Sequence, residues 1–271
     1  MYPFTYHRPK SVAEAQQMFG EGMDATFISG GHTLLPTLKQ HLATPSDLID
    51  LTSIPEMQGI EEDGRVLKIG GATPHCVVAA SPVVQRLIPA LAGLAGSIGD
   101  RHVRHRGTIG GSTANNDPAA DYPSAVLGLG ATVVTDRRRM VADDFFVGLY
   151  ETARETGEML VRIEFPVPDM ASYAKFRSPA SRFPIAGVFI ARTGSSVRVA
   201  VTGAGNMGVF RATEFEAALS ADFRPEAIAD LSIDPDLMLS DISGTAAYRA
   251  NLIKVLARRA VEKPGQLQSF K

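Results

Sequence analysis

The stretch that decides the fold is RHRGTIGGSTANNDPAADYP, Arg104–Pro123. Cations and bare backbone stand at its front, and carboxylates at its tail. A chain that turns through adjacent glycines into a helix leaves backbone N–H groups unpaired at the helix start, and with the helix dipole these can hold an anion. A side chain at such a turn would keep a phosphate off the backbone. The device occurs twice, because ISGGHTLL, Ile28–Leu35, reads as strand, Gly-Gly turn and helix as well. Two such turns, each with adjoining hydroxyls, suit a diphosphate. The first lacks the Gly-Lys-Ser/Thr ending of a phosphate loop, and neither follows the spacing G-x-G-x-x-G. A dinucleotide here would need a different fold.

Outward from these turns, the order is mixed α and β. RPKSVAEAQQMFGEG predicts a Ser-capped helix ended by Gly20 and Gly22. After a strand at Ala25–Ile28, Leu34, Leu35, Leu38 and Leu42 recur at helical spacing, with Pro36 tolerated only in the first turn. SDLIDLTSI and RVLKIGGAT are strand candidates, SPVVQRLIPALAGLAGSIG a helix, and DYPSAVLGLG a helix feeding the strand ATVVT. The strand EMLVRIEFPVP closes on Pro166 and Pro168, and a domain boundary is expected near residues 169–171. Beyond it, PIAGVFIAR and VRVAVTGAG predict a hairpin, and the remainder reads as helical, ending in SGTAAYRANLIKVLARRAVEK.

The totals narrow the function. In 271 residues, 27 Lys plus Arg oppose 29 Asp plus Glu with no long run of one sign, which argues against a nucleic-acid or membrane-surface binder. No apolar run is long enough to span a bilayer and no signal segment is recognisable, so a cytoplasmic location is expected. The single cysteine, Cys76, excludes an internal disulfide, a Cys-rich zinc site and an iron–sulfur cluster held by four thiolates of this chain. Any such centre must sit in another chain.

ISGGHTLLPTLKQHLATPSDLIDL and IGDRHVRHRGTIGGSTANNDPAADYPSAVLGLGATVVT together resemble the FAD-binding medium subunit of the molybdenum hydroxylases, the carbon-monoxide dehydrogenase and xanthine dehydrogenase family. MLVRIEFPVP, KFRSPASRFPIAGV and SDISGTAAYRANLIKVLARRA resemble its later segments, so the likeness covers most of the chain. It implies an α+β protein with two subdomains of the vanillyl-alcohol-oxidase (PCMH) type, about residues 1–55 and 56–170, with FAD between them. A smaller C-terminal α+β domain with an antiparallel sheet, residues 171–271, would follow. The resemblance puts the FAD pyrophosphate between Ser29, Gly30, Gly31, His32, Thr33 and Leu34 on one side and Thr108, Ile109, Gly110, Gly111 and Ser112 on the other, with Ile28 also a cofactor-binding residue. Backbone N–H groups and the hydroxyls of Thr33, Thr108 and Ser112 would hold it. Asp121 falls where the family has an aspartate contacting FAD, and a carboxylate suits ribose hydroxyls. Ile98 and Leu160 fall at apolar contact positions. Arg177 stands where xanthine dehydrogenases have a lysine near the flavin, and Phe183 where carbon-monoxide dehydrogenase has a tyrosine against the ring. Phe183 can stack but has no hydroxyl to offer, and Ser112 replaces a frequent asparagine with a shorter donor.

The function so implied is electron transfer. A large partner subunit with a molybdenum cofactor would oxidise the substrate, a small partner with two [2Fe-2S] clusters would pass electrons, and non-covalent FAD here would deliver them onward, in a dimer of heterotrimers. No catalytic acid, nucleophile or metal site is expected in this chain. Several residues keep more than one reading. His32 is a plain helix-start residue, a phosphate-side donor, or a covalent flavin attachment of the kind SGGH supplies in berberine-bridge-type oxidases, which would fit a self-contained flavin oxidase or reductase. His102 and His105 read as a solvated face or partner contact, since a third metal ligand is not apparent. Arg101, Arg104 and Arg106 either face phosphate or pair with Asp100, Asp117 or Asp121. Asn115, Asn116 and Asp117 either shape a turn before Pro118 or touch ribose and adenine. Met140, Met159 and Tyr173 read as packing residues. GTIG, Gly107–Gly110, also has the form of an RNA-binding GXXG clamp, which the acidic NDPAAD beside it disfavours.

Overall fold

A computed structural model describes residues 1–265 and 267–270. Three larger sheets organise them, beside a two-stranded ribbon of Phe146–Gly148 and Glu151–Thr152. The first is parallel, with strands Thr5–His7, Asp47–Asp50 and Ala25–Ile28 in that spatial order. The second is antiparallel, ordered Ile60–Asp63, Val66–Gly70, Leu160–Pro166, Thr132–Thr135, Arg139–Val141. In the third, Phe210–Arg211, Ser196–Thr202, Pro184–Thr193 and Met170–Arg177 are antiparallel neighbours, and Leu267–Phe270 adds a parallel edge. The architecture is α+β, and no helix among the described residues is long and apolar enough to cross a membrane.

Local signals explain most element boundaries. Ser11 caps the helix Val12–Glu21 by accepting from Glu14 N–H, and Gly22 ends it, whereas Gly20 lies inside it. Pro36 sits in the first turn of Leu34–Lys39, where its missing N–H has no partner to lose. That helix stops before Leu42, which is 72% exposed, because His41 adopts a left-handed φ of 62°. The segment expected as one helix over residues 81–99 is two, Pro82–Leu87 and Pro89–Ser97. Pro89 disfavours a helical Ile88, which takes φ −140° and ψ 73°. The C-terminal remainder is less helical than its composition suggests. Between the helices Thr213–Ala221 and Ala246–Glu262 it runs through short 3-10 turns.

Four apolar clusters hold the sheets together. One wedges Ala15, Ile49, Met57, Met159 and Val161 between the first and second sheets, and a smaller one packs Leu38 on Ile28 and Leu48. The largest joins the second sheet to the helices Pro89–Ser97 and Tyr122–Gly128, and continues into the third sheet through Tyr173, Phe189 and Ala200. The fourth lies on the opposite face of the third sheet, under the helix Ala246–Glu262. The site described next opens where the first and second sheets meet.

Candidate cofactor site

The two glycine turns touch. Ser29 Oγ lies 2.9 Å from Thr108 Oγ1, and a Cβ added at Gly30 would stand 2.4 Å from the Arg106 carbonyl oxygen and 2.6 Å from Gly107 Cα. Gly110 is crossed as closely by Gly71, whose carbonyl accepts Gly110 N–H at 2.8 Å. Gly31 needs its glycine for a different reason, a φ of 72°. Backbone packing and conformation thus demand three of the four glycines. At Gly111 an added Cβ meets no backbone and no left-handed φ forbids it, its nearest neighbour being Thr108 Oγ1 at 2.9 Å.

Between the turns lies a cavity of about 560 Å³, within the size range of sites for small molecules and cofactors. Its wall includes Ile28 through Leu34, Ile98, Thr108, Gly110, Gly111, Ser112, Asp121, Leu160 and Phe183. Ile109 and Arg177 are not in it. The Ile109 side chain is fully buried in the largest core cluster, as its apolar character dictates, and Arg177 ends a strand just past a register shift.

The donors are unevenly shared. In the second turn, Ile109 N–H donates to Thr73, Gly110 N–H to Gly71, Gly111 N–H to Thr108 Oγ1, and Ser112 N–H to Thr108 O. Its backbone is therefore already engaged, and what it offers an anion is mainly the Ser112 hydroxyl. In the first turn, the N–H groups of Gly31, His32, Thr33 and Leu34 have no acceptor among the described residues. Any diphosphate between the turns would take its backbone donors from residues 31–34.

Asp121 has work the sequence did not disclose. Its carboxylate accepts from Lys175 Nζ at 2.8 and 3.1 Å and from Tyr173 Oη at 2.6 Å, and Lys175 is fully buried. Lys175 Nζ also approaches the Ser97 carbonyl, one residue before cavity-lining Ile98. Tyr173, expected only to pack, has its phenol pushed well above the usual range by burial and by the Asp121 charge. This ion pair spans 54 residues, so no local spacing could reveal it. The only hint is a lysine inside MASYAKFR, two residues from Tyr173 and so on the same strand face.

The asparagine question divides. Asn116 is buried with φ 44° and donates from Nδ2 to the carbonyls of Gly148 and Glu151, so it shapes the turn. Asp117 closes a local turn on Ala119 N–H, and both it and Asn115 line the cavity. His75 was not anticipated. It lines the cavity at 4% exposure, its Nδ1 has no partner among the described residues, and burial followed by the nearby His32 and Arg104 lowers its pKa to about 3. It is neutral at ordinary pH. The Tyr122 hydroxyl beside it is buried and also has no partner among the described residues. None of Arg101, Arg104 and Arg106 pairs with Asp100, Asp117 or Asp121; Arg104 bonds the carbonyls of Ile98 and Gly99 instead.

Residues 2–168 match the family model described as the FAD binding domain in molybdopterin dehydrogenase. The chain belongs to that family. As an FAD-binding medium subunit it is 35% identical over 274 residues to the carbon monoxide dehydrogenase medium chain of Hydrogenophaga pseudoflava, covering 95% of this chain and 96% of that one. It is 32% identical to the nicotine 6-hydroxylase medium subunit of Paenarthrobacter nicotinovorans, over 96% of each. The crystal structure of a Cu,Mo-CO dehydrogenase contains a chain that superposes with a TM-score of 0.86 at 33% identity, covering 98% of this chain and 99% of that one. The flavoprotein therefore has an oxidoreductase subunit's fold from end to end. The cavity fits FAD on its own chemistry: four N–H groups without an acceptor among the described residues for a diphosphate, apolar walls, and a buried unpartnered nitrogen at His75.

Proposed function

We propose that this chain is the electron-output subunit of a molybdenum hydroxylase complex. It holds FAD non-covalently, takes electrons from the [2Fe-2S] clusters of a small partner subunit, and passes them to an external acceptor. A large partner with the molybdenum cofactor oxidises the substrate, in a cytoplasmic dimer of heterotrimers. The redox chemistry belongs to FAD, and the protein supplies binding, orientation and shielding. The observation that carries this reading is the 560 Å³ cavity flanked by the unpaired N–H groups of residues 31–34.

Each part of the wall then has a role. Gly31–Leu34 N–H groups and the Thr33 and Ser112 hydroxyls hold the diphosphate. Ile98, Leu160 and Phe183 cover apolar ring surface. Asp121, locked by Lys175, fixes the wall rather than offering a free carboxylate, while Asn115 and Asp117 lie within reach of sugar hydroxyls. The three sheets support a division into an FAD-binding part, residues 1–170 with subdomains about 1–55 and 56–170, and a C-terminal domain, residues 171–271.

The test is an absorbance spectrum of the purified protein before and after acid precipitation. Flavin released to the supernatant is expected. No flavin, even after incubation with FAD, would sink the proposal, and flavin retained in the pellet would instead indicate covalent linkage through His32 in a self-contained oxidase. A pull-down from the source cell should bring down molybdenum and iron–sulfur partners.

A further inference from the structure

Many arginines of this molecule are matched to carboxylates, as Arg86 to Glu62, Arg138 to Glu158, Arg139 to Glu164, Arg211 to Glu216 and Arg224 to Asp222. Others are held singly, Arg8 by Ser53, Arg154 by backbone carbonyls and Arg192 over the Phe223 ring. Beside the cavity, next to its lining residues Val103, Gly107 and Phe183, arginines without a carboxylate are gathered together. The helix Arg101–Arg106 carries three arginines and two histidines in six residues and no acid, and Arg101, His102, His105 and Arg106 are exposed. Arg177 and Arg182 lie on the segment that carries Phe183, and Arg182 Nη1 reaches across to the Gly99 carbonyl at 3.1 Å, so the two segments adjoin. Among the described residues none of Arg101, Arg104, Arg106, Arg177 and Arg182 forms an ion pair.

The acids nearby offset this charge only in part, Asp100 being the one that feels Arg182 and His102. Asp100 is turned into the helix start, accepting His102 and Val103 N–H at 2.8 and 2.9 Å. Asp50, on the Arg106 side, is buried and bonded to Tyr6 and Thr52. Arg104 and Arg182 brace the Ile98 and Gly99 carbonyls, but Arg101 and Arg106 are exposed and make no side-chain hydrogen bond or ion pair among the described residues. Exposed like charges so placed cost self-repulsion, which points to a use outside the chain.

We infer that this arginine rim is the docking face for an acidic electron-acceptor protein. The inference rests on the FAD reading above. Phe183, half exposed at the cavity mouth, marks the end at which a bound ring comes nearest to solvent and to a visiting acceptor. A permanent subunit interface depletes charge from its buried core. A rim of unmatched, solvated arginines has the opposite composition, which suits a brief encounter steered by charge. A small dinucleotide acceptor would need concave walls to hold it. Arg101 and Arg106 instead stand exposed on a helix and do not line the adjoining cavity, which is assigned to FAD.

The test uses the complex isolated through a tag on this chain, with its flavin photoreduced and then mixed with acceptor proteins in a stopped-flow instrument. The probes are cytochrome b5, which has an acidic face, cytochrome c, which is basic, and uncharged benzoquinone. Electron transfer to cytochrome b5 is expected to slow by about tenfold or more between low and high salt. Arg101→Glu with Arg106→Glu should slow it similarly at low salt, speed transfer to cytochrome c, and leave benzoquinone reduction unchanged. Cytochrome b5 rates indifferent to both salt and substitution would overturn the inference. So would variants that impair reduction of NAD⁺ but not of cytochrome b5, since the rim would then be a dinucleotide site. A preparation that binds no FAD fails at the earlier proposal, so the two failures are distinguishable.

Discussion

At the scale of single residues, the double glycines do different work from one another. Gly110→Ala drives a Cβ to 2.5 Å from the Gly71 carbonyl oxygen and 2.7 Å from its Cα, both backbone atoms that cannot rotate away. It should cost about 1–3 kcal/mol, as overpacking does, read by urea unfolding of the FAD-free protein. Gly111→Ala meets only a hydroxyl and lies in a helix, where alanine is favoured by about 0.5–1 kcal/mol. Its stability should stay within about 1 kcal/mol of wild type while FAD affinity falls; equal destabilisation by the two substitutions would contradict this assignment. A second residue-scale effect is set by pH. Burial pushes the Glu158 carboxyl up, but Arg138, the Glu155 N–H and the Thr135 hydroxyl pull it further the other way, to about 2. A lowered carboxylate stabilises the fold above its unfolded pKa, and that stability is lost as pH falls through the folded value. Glu158→Gln should thus cost about 3 kcal/mol at pH 7, with the gap to wild type closing between about pH 4.5 and 2 in urea titrations.

At the scale of elements, the buried Lys175–Asp121 pair pins the strand Met170–Arg177 to the start of the helix Tyr122–Gly128. Lys175→Met leaves Asp121 buried beside only a phenol and should destabilise by about 3–5 kcal/mol, while adding Asp121→Asn should recover much of that loss, because removing both charges also removes their desolvation cost. Two-state chemical denaturation of the two single variants and the double variant measures it, and additive losses would mean the charges act separately. This pair also shows where sequence reading stops. The strand–turn–helix character of ISGGHTLL, the cap at Ser11 and the hairpin around Gly194 are local signals, and they were legible. So was the family, because its motifs lie in two contiguous segments. The break at Pro89 was legible in principle but was outweighed by the apolar periodicity on either side of it. Asp121's partners, the buried His75, and the engagement of the second turn's N–H groups by Thr73 and Gly71 arise only from tertiary contact.

At the scale of the whole molecule, the chain's apparent division into an FAD-binding part and a C-terminal part conceals a shared core. The largest apolar cluster runs from Leu67, Ile109 and Phe165 into Ala171, Tyr173, Phe189, Ala191 and Ala200. The Thr202 hydroxyl and the Gly203 N–H reach back to carbonyls of residues 118 and 120, beside the cavity. Cutting after residue 170 would expose the apolar surface that Tyr173 and Phe189 cover, at about 1.5–3 kcal/mol for each large side chain uncovered. It would also strand Asp121 without its cation. Natural domains have only about 5–15 kcal/mol in total, so a fragment of residues 1–170 should lack a cooperative unfolding transition and should not retain FAD, even though residues 2–168 are what the family model covers. Circular dichroism melting and gel filtration with added FAD would measure both. A fragment that melts cooperatively and elutes yellow would show that the third sheet is an appendage. The expected failure would make it part of the wall that holds Asp121, and through it the cofactor site, in place.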